Sequence, residues 1–264
     1  MTALWSMQRC PLPRILADHD VRITIFARLS GAAYASLEPA SPRAVLIFGR
    51  HGAWHTRVGA GSDCTATAFG CAPTTRPVAV AGDSVDGCVE VSMPPWVAGR
   101  ILPELFEAGG ATALADLATS RPPVDTGDSL AHTAASIARW LAGRLADCPP
   151  ARPEIVWSWQ QIMAGSASQV RHLAAEIGWS ERHFGQLFRS ATGLEPKMAM
   201  QLARFHAALN LVLSSPEALS AIAGACGYAD QSHMTRAFLR FAGAPPAAAR
   251  VGAASALQIV ASPA

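Results

Sequence analysis

Three sets of side chains in this 264-residue chain are of types that can do chemistry, and each needs a different setting. His51, His55, Cys64 and Cys71 are of metal-ligating types, but their spacing matches no zinc motif and their segment reads as strand and turn. Cys88, between Gly87 and Val89, could act as a nucleophile; no base or orienting partner can be named for it, and a buried structural thiol is the simpler reading. The third set is polar and mostly cationic. Arg182, Arg189, Gln231, Arg236 and Arg240 fall on the polar outer faces of two amphipathic segments near the C-terminus. From Gly165 onward eight Lys or Arg stand against five Asp or Glu, whereas the whole chain is almost neutral at +2. A local excess of that sign fits phosphate contact and is weak as a signal by itself.

The elements that must hold the third set repeat. Leu173-Ala-Ala-Glu-Ile-Gly-Trp179 lines up with Ile222-Ala-Gly-Ala-Cys-Gly-Tyr228, and Phe184, Phe188, Gly193 and Pro196 match Met234, Phe238, Gly243 and Pro246. Each copy reads as a short helix, a glycine turn, a second helix, a glycine and a proline. In the first, Val170, Leu173, Ala174 and Ile177 make an apolar face at helical spacing, Gly178 ends the helix, Ser180 caps the next, and Phe184, Leu187 and Phe188 pack back. In the second, Leu219, Ile222, Ala223 and Cys226 form the face, Gly227 ends it, Asp230 is the cap, and Met234, Ala237, Phe238 and Phe241 return. Pro196 opens a long helix between the copies, with Met198, Leu202, Phe205, Leu209 and Val212 on one side.

Ser180-Glu-Arg-His-Phe-Gly-Gln-Leu-Phe-Arg189, Gly193-Leu-Glu-Pro-Lys197, Arg204-Phe205 and Ala208-Leu209 resemble the first half of the AraC/XylS-type DNA-binding domain. Ile222-Ala223, the run Gly227 to Phe238, Gly243, Pro246 and Arg250 resemble its second half. The resemblance implies two recognition helices entering successive major grooves of double-stranded DNA, about 34 Å apart. By position it places Arg182, Gln186 and Arg189 toward DNA in the first unit and Gln231, Ser232, Thr235 and Arg236 in the second. Ser180, at a helix N-terminus, joins the interface, and Arg189 and Arg240 are better placed for phosphates. His183 and His233 each precede a core residue, and packing and phosphate contact both stay open for them. Arginine can give two donors to guanine O6 and N7, and glutamine can pair with adenine N6 and N7. The sequence departs from the family pattern in Gln186, where arginine is usual, in Ala249, where an aromatic residue is common, and in Gly185 inside a recognition helix.

Ahead of the repeat the chain reads differently. Val21 to Phe26 alternates with the period of a half-buried strand, and Ala44 to Phe48 is a short buried run. Residues 54–58, 65–69, 78–80 and 88–91 are further strands. After Pro94-Pro95, Trp96 to Ala108 and Thr112 to Leu117 read as helices and Arg121 to Gly127 as a loop. A helix capped by Asp128 or Ser129 follows, carrying Leu130, Ala134, Ile137, Leu141 and Leu145 on one face, and then a helix from Glu154 to Ala164 with Trp157 and Trp159.

The expected fold is therefore α+β: an N-terminal β-rich sandwich or barrel-like domain with helices over residues 1–150, a connecting helix and hinge at 151–167, an all-helical domain with two helix-turn-helix units at 168–252, and a tail at 253–264. The six cysteines form no C-x-x-C pair, Met1 to Ala17 lacks the apolar stretch of a signal peptide, and no run approaches a membrane helix, so a reduced, cytoplasmic setting with no membrane partner is expected. No cofactor and no metal are expected. The resemblance admits RNA polymerase and a small-molecule effector of the N-terminal domain as further partners, in a monomer or a homodimer. Two rivals stand beside a ligand-controlled regulator: an enzyme fused to a DNA-binding module, with chemistry at Cys88 or near Trp96, and a regulator that takes no ligand.

Overall fold

The central strands of the N-terminal region bury apolar side chains on both faces, each face against a different core. A computed structural model of the chain describes residues 5–28, 34–107, 110–117, 129–167, 169–250 and 259–261. Strands β1 (Trp5–Arg9), β2 (Arg22–Arg28), β4 (Ala44–Arg50), β7 (Ala68–Cys71), β9 (Gly87–Met93), β10 (Ala111–Ala113) and β11 (Ile259–Ala261) form one sheet in the order β10-β7-β4-β9-β2-β1-β11. Strands β3 (Tyr34–Glu38), β5 (Ala53–Val58), β6 (Asp63–Ala66) and β8 (Val78–Asp83) form a second in the order β3-β8-β5-β6. Pairing is antiparallel except between β1 and β11.

Between the sheets lies a small core of Trp54, Phe69, Val85 and Cys88, with Phe26 and Ile47 against it. The opposite face of the larger sheet presents Ile23, Leu46, Phe48, Val89, Val91 and Met93 to helices. These are α1 (Arg14–Asp18), α2 (Pro95–Ile101) and α4 (Leu130–Asp147). The α4 face predicted from its spacing is the buried one, and Ser129 is its cap, accepting the His132 amide; Asp128 lies outside the described residues.

Two helix expectations are corrected. Trp96 to Ala108 is broken into α2 and α3 (Glu104–Glu107), since Pro103 offers no amide and disfavours helical backbone at Leu102, whose φ is −144°. Thr112 to Leu117 is not a helix: Ala111–Ala113 pairs with Cys71, Gly70 and Phe69 as an edge strand, and Leu114–Asp116 is a single 3₁₀ turn. The stretch 65–69 divides at Thr67, so that β6 and β7 serve different sheets. The loop read at Arg121 to Gly127 lies outside the described residues.

The C-terminal helices are α5 (Pro153–Met163), α6 (Val170–Glu176), α7 (Glu181–Thr192), α8 (Pro196–Ser214), α9 (Leu219–Ala225) and α10 (Gln231–Ala242). Helix α5 packs on α7 and α8. One continuous apolar core links this helical region to the β-rich region, and an aromatic chain crosses the junction: Trp96 lies edge-on to Trp159 at 5.7 Å, and Trp159 stacks on Phe188 at 5.9 Å. Around the second unit the junction is polar as well. The Ala40 amide donates to the Phe241 carbonyl at 2.7 Å, and His206 Nε2 lies 2.8 Å from the Ala40 carbonyl. Burial holds His206 below the ordinary histidine pKa, which keeps it a neutral N–H donor to that carbonyl.

Candidate nucleic-acid interface

Each unit is built by the same local rules. Ser180 Oγ accepts the His183 amide at 3.3 Å at the start of α7, and Asp230 Oδ1 accepts the His233 amide at 2.6 Å at the start of α10. The preceding helices α6 and α9 end at Gly178 and Gly227, both left-handed at φ +73° and +70°. Phe184, Phe188, Met234 and Phe238 are fully buried, and Phe238 meets Phe205 of α8 edge-on at 5.1 Å. With one face of each outer helix pinned this way, the residues between the buried positions must project outward.

Among the residues predicted from sequence, Ser180, Arg182, His183, Gln186, Arg189, Gln231, Ser232, Arg236 and Arg240 are exposed, and His233 and Thr235 are half-buried. Among the described residues Arg182, Gln186 and Arg236 have no hydrogen-bond or ion-pair partner, which leaves their donors to face solvent. The phosphate candidates are tethered: Arg189 Nη1 meets Glu195 Oε1 at 3.1 Å, and Arg240 donates to Gln201 Oε1 at 3.2 Å while lying 5.0 Å over the Phe241 ring. Each histidine leans edge-on against an aromatic ring, His183 on Trp179 at 5.0 Å and His233 on Tyr228 at 5.2 Å. The Thr235 hydroxyl turns back to the Gln231 carbonyl at 2.9 Å. At Gly185 an added Cβ would meet nothing within 4 Å, so no part of the protein itself requires glycine there.

The other candidate residues sit among ordinary structural contacts. His55 contacts Thr65 and Asp83, and His51 contacts Asp86 beside Arg50; among the described residues no three His, Cys, Asp or Glu converge as a metal would need. Cys88 is buried between the sheets, which pushes its thiol far up in pKa, away from a reactive thiolate. Trp54 and Trp96 are core residues. Sequence reasoning passed over Lys197 and Arg204 as site residues. They lie seven residues apart on one exposed stripe of α8, one and eight residues after its N-terminal proline, and that spacing is the signal that could have found them.

This arrangement defines a double helix-turn-helix domain. Residues 173–251 match the family model described as a helix-turn-helix domain. The chain is 31% identical over 83 residues to the HTH-type transcriptional regulator Rv1931c of Mycobacterium tuberculosis, a match covering 31% of this chain and 32% of that protein. The chain thus spans about a third of the length of the curated relative it matches. Among solved structures it is similar to the DNA-binding domain of AdpA, a global transcriptional factor crystallised with a target DNA, at 28% identity and TM-score 0.35, covering 39% of this chain and 91% of that one. It is also similar to ToxT from Vibrio cholerae at 8% identity and TM-score 0.48, covering 91% and 99% of the two chains. Among the described residues no helix is long and apolar enough to cross a membrane.

Proposed function

We propose that the protein is a sequence-specific regulator of transcription that binds double-stranded DNA through two successive major grooves and takes control signals through its β-rich region. The observation that carries this reading is the pair of outer helices α7 and α10, alike in cap and buried aromatics, each presenting unpaired polar side chains to solvent. Arg182 and Gln186 would read the first groove, and Ser232, Thr235 and Arg236 the second, with Gln231 and the helix N-termini near the backbone. The domain limits follow as proposed from sequence, 1–150 and 168–252, with α5 packed onto the second of these. A small-molecule effector and RNA polymerase are further partners this role admits beyond DNA, and the bacterial cytoplasm is the place for it.

Selection of bound duplexes from a random pool tests the proposal. The purified chain should return one motif in two blocks whose centres lie about one helical turn apart. Recovery of no motif would refute it.

A further inference from the structure

A crevice of about 1000 Å³ lies along α8, the helix that joins the two helix-turn-helix units, bordered by the end of α5, the turn between α9 and α10, and one flank of α10. Lys197, Arg204, Arg236 and Arg240 all line it, and none of its lining residues is Asp or Glu. Four permanent cations around one concavity repel one another, and low-dielectric walls focus their field on whatever enters.

The position of the crevice says what that is. At 3.6 residues per turn, Ser232, Thr235, Arg236 and Leu239 fall within an arc of about 100° on α10, opposite the buried Met234 and Phe241. Arg236 sits at the edge of that arc, and Ala237 and Arg240 continue from it into the crevice. The concavity therefore opens beside the outward face of α10, between it and α8. A duplex held by both outer helices would run its sugar-phosphate backbone past α8, the element that connects them. Tyr228 also lines the crevice; its hydroxyl is buried and has no hydrogen-bond partner among the described residues, and burial pushes its pKa up to about 12.

We infer that this crevice is a saddle for the phosphates of the DNA strand that bridges the two major grooves, with Lys197 and Arg204 of α8 as its contacts. The inference rests on the DNA-binding role proposed above and adds a site between the two grooves that reads charge and no bases.

The test is the salt dependence of binding by the full chain to a duplex carrying its two-block motif. Each lost phosphate contact flattens the slope of log K against log salt by about 0.9. Lys197→Gln and Arg204→Gln should each do so and leave base preference unchanged. Uncharged methylphosphonates placed between the two blocks should weaken the unmodified protein several-fold and leave the double variant unaffected. The Arg204 guanidinium lies 5.7 Å over the Tyr228 ring, so its variant is checked by thermal unfolding, and Lys197→Gln, on an exposed side chain, decides the matter if Arg204→Gln does not fold. Unaltered slopes, or methylphosphonates without effect between the blocks, overturn the saddle, and continued binding of the two-block motif would then leave the DNA-binding role standing. Loss of any motif overturns both.

Discussion

The two helix-turn-helix units agree on what they bury and disagree on what they show. Caps, left-handed glycines and buried aromatics recur from one to the other, down to Gly193 and Gly243, each at φ +72° where the outer helix ends. Outward, Arg182, Gly185, Gln186 and Arg189 of the first unit are replaced at equivalent places by Ser232, Thr235, Arg236 and Leu239 of the second. Leu239 is 51% exposed in the middle of a polar face, which suits contact with a thymine methyl group more than with a phosphate. Packing constrains one side of each helix and leaves the other free to diverge, so the two grooves are met with different chemistry on the same scaffold. The units also lean on different parts of the β-rich region. A Cβ on Gly193 would come within 2.6 Å of Phe106, and one on Gly243 within 2.7 Å of Leu37. Any rearrangement of the strands around Leu37 and Ala40 would therefore reach the second unit before the first.

The largest effect should come from breaking what the units share. Phe188→Ala and Phe238→Ala should each cost about 3–5 kcal/mol of stability in denaturant unfolding. Phe188→Ala should also loosen the junction, because its ring carries the Trp159 stack; equal protection of the Trp96 region from hydrogen exchange in both variants would contradict that. Next, Arg236→Ala should cost about 1–3 kcal/mol in specific binding and relax preference at one base position of one block, leaving the other block intact. Titrations against single-base variants of the motif read this directly. Gly243→Ala should destabilise by roughly 1–2 kcal/mol for the left-handed backbone alone, and more through displaced Leu37. Gly178→Ala, at a similar φ with open space around it, should show the backbone cost without that addition. The smallest effect is at Gly185, where alanine has room and should stabilise α7 by about 0.5–1 kcal/mol. If DNA binding falls at the same time, the glycine is there for close approach of DNA backbone.

What could be read from the sequence follows the range of the interactions. Caps at Ser180, Asp230 and Ser129, glycine ends and helical stripes are set by residues within a turn of one another, and the helical region is where expectation and structure agree most closely. The alternation in Val21 to Phe26 and the buried run Ala44 to Phe48 gave strands for the same reason. The short strands β1, β3 and β10 exist only because of partners far along the chain, as when Thr112 pairs with Gly70 and Ser36 with Val80, and nothing local in those stretches distinguishes them. Likewise the outward face of α10 could be read from spacing, whereas the cationic crevice joins α5, α8 and α10 and shows only in three dimensions.

Footprinting of the purified chain on the DNA upstream of its own gene, with a reagent that reads the major groove, tests most directly whether both outer helices engage one duplex. Two protected segments per monomer, centred about one helical turn apart on the same face, are predicted. A single protected segment, or two on opposite faces of the duplex, would contradict the account.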